Sequence, residues 1–252
     1  MKLEIVGKSA LVVGASRGLG RVIALTLAQE GAQVGVVSRT EVDIISLVAE
    51  MGGETKGHWG IVKDLVPDNA PTQMVEEINS QTRQIDILIH NLGGTLGIRN
   101  PFCTVDEWRS VWRLNFEIAT ELNRQIIPRM QERKWGRVVH ISSTAATLSR
   151  GAVAYCAVKA ALNAYTKNLG ATVAPDGVVL TAVMPGAIRY PGSHWDKQTQ
   201  EQPEMVANYL EQRMAIKRFA TLDEISSFVV FLCSEKASFF TGSVLPIDGG
   251  SL

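Results

Sequence analysis

The chain has 252 residues, of which 46% are hydrophobic and 20% charged, an ordinary balance for one large α/β domain. Lysine plus arginine and aspartate plus glutamate both number 25, so the formal charge is zero and the basic field of a nucleic-acid binder is missing. The three cysteines, Cys103, Cys156 and Cys233, form neither a CxxC pair nor a disulfide framework, which fits a reducing compartment.

The first residues are interrupted by Glu4, Gly7 and Lys8 and hold no signal-peptide stretch. No uncharged run approaches the length of a membrane span. The expectation is a cytoplasmic protein with neither membrane nor nucleic-acid partners. Apolar, β-branched runs at residues 10–13, 33–38, 56–62, 85–90, 137–142, 178–184 and 243–247 predict strands. Their near-continuous Val, Ile and Leu suits strands buried on both faces of a parallel sheet. Helical stretches lie between them at 18–30, 42–51, 71–81, 104–132, 152–173 and 222–234. The alternation predicts a doubly wound sheet with right-handed crossovers. Residues 186–220 break it, being long, polar and punctuated by Pro191 and Pro203. Long excursions in compact domains are usually functional, so a substrate lid is expected over about 189–215.

The first strand runs into Gly14-Ala15-Ser16-Arg17-Gly18-Leu19-Gly20, and a helix follows. Glycines let the backbone approach a pyrophosphate, which the free N–H groups and positive dipole end of the helix then hold. The second strand closes Val36-Val37-Ser38-Arg39. A carboxylate there would bind a ribose 2′-hydroxyl; an arginine clamps a 2′-phosphate, and Arg17 adds a second charge. NADP(H) is therefore expected, with NAD(H) the alternative that Glu41 keeps open.

Tyr155-Cys156-Ala157-Val158-Lys159 sets a phenol and an amine at i and i+4 on one helical face. A free tyrosine has a pKa of about 10, and a nearby ammonium lowers it, so the phenol exchanges protons with a carbonyl oxygen as hydride arrives. Upstream, Ser142 and Ser143 end the fifth strand, where a hydroxyl faces the crevice that binds ligands. It can steady developing charge on the substrate oxygen, or simply cap the loop.

With GASRGLG, Asp64 in KDL, HNLGG, Asn115 in RLNF, ISS, YCAVK, MPGAI and FTGSVLPIDGG in this order, the chain resembles the short-chain dehydrogenase/reductase family from end to end. The resemblance implies a single Rossmann-type domain over 1–252, a seven-stranded parallel sheet flanked by helices, and a homotetramer or homodimer. It implies a catalytic set of Asn115, a serine, Tyr155 and Lys159. Lys159 would also hold the nicotinamide ribose, while Asn115 would perturb its helix and anchor a water leading protons to Lys159. The implied cofactor contacts are the glycine turn, Ser38, Arg39, Asp64, Leu65, Asn91, Gly93, Tyr155, Lys159, Pro185, Gly186 and Ile188. Strand register selects Ser143 as the serine, whereas the commoner spacing to the tyrosine selects Ser142. Where the family has Asn-Asn-Ala-Gly, this chain has His90-Asn91-Leu92-Gly93. Where it often has a threonine on the nicotinamide amide, this chain has Tyr190, leaving the backbone of Ile188 to serve.

No His, Cys, Asp or Glu cluster has metal-ligand spacing, so no metal is expected. His90 and His140 read as hydrogen-bonded core residues, and Cys156 as a small buried thiol rather than a redox switch. His194 and Trp195 fall in the lid, on the substrate or packed within it. Arg109, Arg113, Arg124, Arg129, Arg133 and Lys134 alternate with Glu107, Glu117, Glu121 and Glu132, which reads as a solvated or subunit-contact face. The expected activity is NADP(H)-dependent interconversion of a small-molecule carbonyl and a secondary alcohol, EC 1.1.1.-. The rivals are a sugar-nucleotide epimerase or dehydratase, which carries a longer C-terminal domain, and a non-catalytic nucleotide-binding regulator, which would have lost Tyr155 or Lys159.

Overall fold

The computed structural model describes residues 2–148 and 151–251. Among them the strands are β1 (Ser9–Val13), β2 (Gln33–Ser38), β3 (Trp59–Val62), β4 (Ile87–His90), β5 (Gly136–Ile141), β6 (Val178–Pro185) and β7 (Val244–Ile247). They form one parallel sheet in the order β3-β2-β1-β4-β5-β6-β7. The order reverses between β1 and β4, and the crevice outside their carboxyl ends is where a doubly wound sheet binds ligands.

The helices are α1 (Gly18–Gln29), α2 (Glu41–Glu50), α3 (Ala70–Ser80), α4 (Val105–Trp112), α5 (Ile118–Glu132), α6 (Val153–Val173), α7 (His194–Glu201), α8 (Pro203–Arg213) and α9 (Leu222–Leu232). Successive side chains of a strand point to opposite faces. Accordingly, Ala10 and Val12 of β1 pack with Ile23 and Leu27 of α1 and Val229 of α9. Leu11 and Val13 pack with Met74 of α3 and Leu122 and Ile126 of α5. Both faces are covered, which is why the strands read as unbroken apolar runs.

Three expected elements differ. The strand expected from residue 56 starts at Trp59, because a short 3₁₀ turn (Glu54–Lys56) closes on Gly57 at φ +84. The helix expected over 104–132 is interrupted by a π-helical turn, Arg113–Glu117, the perturbation that the resemblance implied at Asn115. The excursion over 186–220 holds helices α7 and α8, with Trp195 stacked 4.3 Å from Tyr209 and 5.1 Å from Phe219. Among the described residues, no helix is long and apolar enough to cross a membrane.

Candidate active site and cofactor groove

A groove of about 640 Å³ opens at the carboxyl ends of β1, β2 and β4. Of the residues expected at a cofactor, Gly14, Ser16, Arg17, Leu19, Ser38, Arg39, Asp64, Leu65, Asn91 and Gly93 line it. Gly18 and Gly20 shape it from behind. A Cβ on Gly20 would lie 2.2 Å from the Gly14 carbonyl oxygen and 2.5 Å from the Asn91 amide nitrogen, so α1 reaches the strand only with glycine there. The Asn91 side chain donates to the Gly14 carbonyl at 2.8 Å and braces the turn. Arg17 precedes α1 and its side chain makes no cap, leaving the helix N–H groups to face an anion. These features fit a dinucleotide pyrophosphate.

Lys63 and Tyr190 also line the groove, although neither was expected as a cofactor contact. Lys63, the first residue of KDL, joins Arg17 and Arg39 and makes the adenosine end tricationic. Tyr190 lines the groove with its ring against Gly18. Glu41 starts α2 and is not part of the lining. Pro185, Gly186 and Ile188 also lie off this groove. Gly186 donates to Ile247 at 3.0 Å, and Ile188 bridges Ala220. That bridge uses the Ala187 carbonyl and the Arg189 N–H, which directs the amide and carbonyl of Ile188 to the opposite side.

The groove meets a polar cluster at Gly93. A Cβ there would come within 2.7 Å of the Asn115 Oδ1 and 2.9 Å of the Lys159 Nζ, so glycine keeps both groups at the groove wall. Asn115 is buried in the π-helical turn. Its Nδ2 donates to the Val111 carbonyl at 2.8 Å and to the Gly94 carbonyl at 2.9 Å, and its Oδ1 accepts from the Gly94 N–H at 3.0 Å. A side chain that claims the i−4 carbonyl displaces the backbone N–H from it, which accounts for the slip into a π turn.

Lys159 is 2% exposed, and its ammonium donates to the Ile141 carbonyl at 2.9 Å. Burial lowers its pKa from 10.5 to about 8. The Nζ lies 5.7 Å from the centroid of the Tyr155 ring. The phenol differs from expectation: burial raises its pKa above 10, and the hydrogen bond with Ser143 only partly offsets that. The net shift is upward even though the Lys159 ammonium stands beside the ring. The two serines separate cleanly. Ser143 bonds Tyr155 and accepts from the Ala145 N–H at 3.1 Å, whereas Ser142 is buried and donates to the Lys159 carbonyl at 3.4 Å.

His90 and His140 form a buried chain beneath this cluster. His90 Nε2 donates to Asn123 Oδ1 at 2.8 Å, Asn123 Nδ2 donates to His140 Nε2 at 3.0 Å, and His140 Nδ1 donates to Thr166 Oγ1 at 2.7 Å. Arg113, expected on a solvated face, is instead buried against the loop after β3.

The fold and this constellation define a dinucleotide-binding oxidoreductase. A family model described as Enoyl-(Acyl carrier protein) reductase matches residues 14–251. The 3-oxoacyl-[acyl-carrier-protein] reductase of Aquifex aeolicus is 33% identical over 99% of both chains. Among solved structures, the L-sorbose reductase of Gluconobacter frateurii with NADPH and L-sorbose superposes at a TM-score of 0.91, with 29% identity over 100% of this chain and 99% of that one. A 3-oxoacyl (acyl-carrier-protein) reductase from Agrobacterium tumefaciens with NADP bound gives 0.88, at 27% identity over 99% and 96%. The chain belongs to the short-chain dehydrogenase/reductase family.

Proposed function

We propose that this protein reduces a ketone to a secondary alcohol at the expense of NADPH, with Tyr155 as the acid. The observation that carries the reading is the Tyr155 hydroxyl hydrogen-bonded to Ser143, with the Lys159 ammonium beside its ring and, at Gly93, against the groove wall. The glycine turn, Arg17, Arg39 and Lys63 would hold the cofactor, which supplies the hydride when bound. Ser143 holds the substrate oxygen, and Tyr155 gives that oxygen its proton as charge develops. Burial keeps the phenol in its protonated form, the form in which it can act as the acid of a reduction. Lys159 supplies positive potential and, with Asn115, the path by which Tyr155 recovers its proton. The helices at 194–213 act as the lid, and the assembly is a homotetramer or homodimer. The likeness to a 3-oxoacyl-[acyl-carrier-protein] reductase and to an L-sorbose reductase supports carbonyl-to-alcohol chemistry.

The test is NADPH consumption against a panel of ketones. Tyr155→Phe is expected to lower turnover by at least about a hundredfold, since a positioned general acid contributes roughly that much or more. Equal rates for wild type and variant would remove Tyr155 from the mechanism. The adenosine end gives a second prediction. Arg39→Asp replaces a phosphate clamp with a repelling carboxylate, and should weaken NADPH by about tenfold or more while leaving NADH nearly unchanged. Separate titrations of the two nucleotides check it, and tighter NADH binding by the wild type would overturn the cofactor assignment.

A further inference from the structure

Arg113 is 9% exposed and stands 46 to 48 residues from the carbonyls it serves. Its Nε donates to the Val66 carbonyl at 2.9 Å, and its Nη2 reaches the carbonyls of Leu65 at 3.4 Å and Pro67 at 3.3 Å. Its Nη1 donates to the Glu121 carboxylate, with Glu117 at 3.6 Å. One guanidinium thus takes three consecutive carbonyls of one loop. Burial opposes its charge, but Glu121, Glu117 and Asp68 outweigh burial and hold the cation.

That loop borders the groove. Lys63, Asp64, Leu65 and Val66 all face it, and Asp64 turns back to accept from the Val66 N–H at 3.0 Å. At its other end, Arg113 opens the π-helical turn. Leu114 faces the groove, and Asn115 holds both backbone groups of Gly94 beside the Lys159 ammonium. Three successive residues therefore grip the adenosine-side loop, the groove and the wall of the reaction centre.

We propose that Arg113 is a positioning residue that ties the loop at 65–67 to the turn carrying Asn115, so that seating the adenosine end of the cofactor sets the geometry at the nicotinamide end. The inference rests on the groove and active-site reading proposed above. A purely structural arginine would stabilise the fold without making the two ends of the groove interdependent. A lysine keeps the charge but lacks the planar fork that spans several acceptors.

The coupling is measured by calorimetry with two fragments, 2′,5′-ADP for the adenosine end and reduced nicotinamide mononucleotide for the other. In the wild type each should tighten the other by about tenfold, the factor being the same in both directions by linkage. Arg113→Lys is expected to bring the factor close to one and to lower kcat at saturating NADPH by about tenfold, because small misplacements of reacting groups cost that much or more. Glu121→Gln, which loosens the guanidinium but leaves its carbonyl contacts, should give a smaller change in the same sense and remains informative if the lysine variant fails to fold. Independence of the fragments in the wild type, or an undiminished factor in a folded variant that merely melts earlier, overturns the proposal. Wild-type turnover in Tyr155→Phe would instead strike the active-site reading and leave the fragment coupling to be judged on its own.

Discussion

Lys159→Met is expected to yield a protein that is more stable than the wild type and nearly inactive. Lys159 is among the largest fully buried side chains of the molecule, and no carboxylate is paired with it among the described residues. Keeping a cation there whose pKa has fallen from 10.5 to about 8 costs the fold about 3 kcal/mol at neutral pH. Methionine matches the length of the chain and removes the charge. It also strands the Ile141 carbonyl, a loss of about 1 kcal/mol, so a net gain of about 2 kcal/mol remains. For a chain of this size that is a rise in melting temperature of about 4–8 °C.

The sign is fixed by the direction of the shift. Between pH 8 and 10.5 the unfolded chain binds the proton and the folded chain does not, so wild-type stability should climb over that window and the variant should show no such climb. Turnover runs the other way. Carbonyl reduction in the wild type should decline as pH rises through about 8 and Lys159 loses its charge. The methionine variant should lose at least about a hundredfold below pH 8, where the wild-type lysine is charged, and less above it. Melting curves and NADPH oxidation measured on the same preparations decide the matter. A variant less stable than wild type at pH 7 would mean that the buried charge is compensated by something other than Ile141.

Much of this site could be read in the sequence because its parts are local. A glycine turn between a strand and a helix, and a phenol and amine one helical turn apart, are spacings that the backbone itself enforces. Strand register also chose between the serines: Ser143, placed by its position after Ile141 and Ser142, is the one that meets Tyr155. Arg113 was misplaced for the opposite reason. Among alternating charges on a helix it looks solvated, and its partners lie on a loop whose approach no local pattern records. The π-helical turn was invisible to periodicity, since it arises when the Asn115 side chain takes the Val111 carbonyl. The phenol was expected to be acidified by the lysine. Burial of the phenol is the larger effect, and how deeply a ring is buried is a tertiary property with no local sequence signature. Helices α7 and α8 were hidden by polar composition; they are held partly by Trp195, Tyr209 and Phe219, which are spread over 25 residues.

The same distinction makes the protein's response to acid predictable. The chain His90–Asn123–His140–Thr166 has one consistent proton arrangement, because Asn123 must accept from one histidine and donate to the other. A proton added to His140 at Nε2 would confront the Asn123 amide N–H, and Lys159 lies close enough to oppose charge on both rings. Burial is the larger cause. It lowers His90 from 6.5 to about 4 and His140 well below 6.5. Unfolded histidines take up protons near pH 6.5 and the folded ones resist, so the folded state loses ground as pH falls through the window from 6.5 to 4. At pH 5 His90 alone accounts for about 2 kcal/mol of that loss, and His140 adds to it in the same direction. Urea midpoints should therefore fall sharply between pH 7 and pH 5, well before most carboxylates are protonated. His90→Asn with His140→Asn should be less stable at pH 7, having lost the chain, yet should change much less on going to pH 5. If wild type and double variant shift equally, the acid sensitivity arises elsewhere and the two rings are not the neutral pair that their hydrogen bonds require.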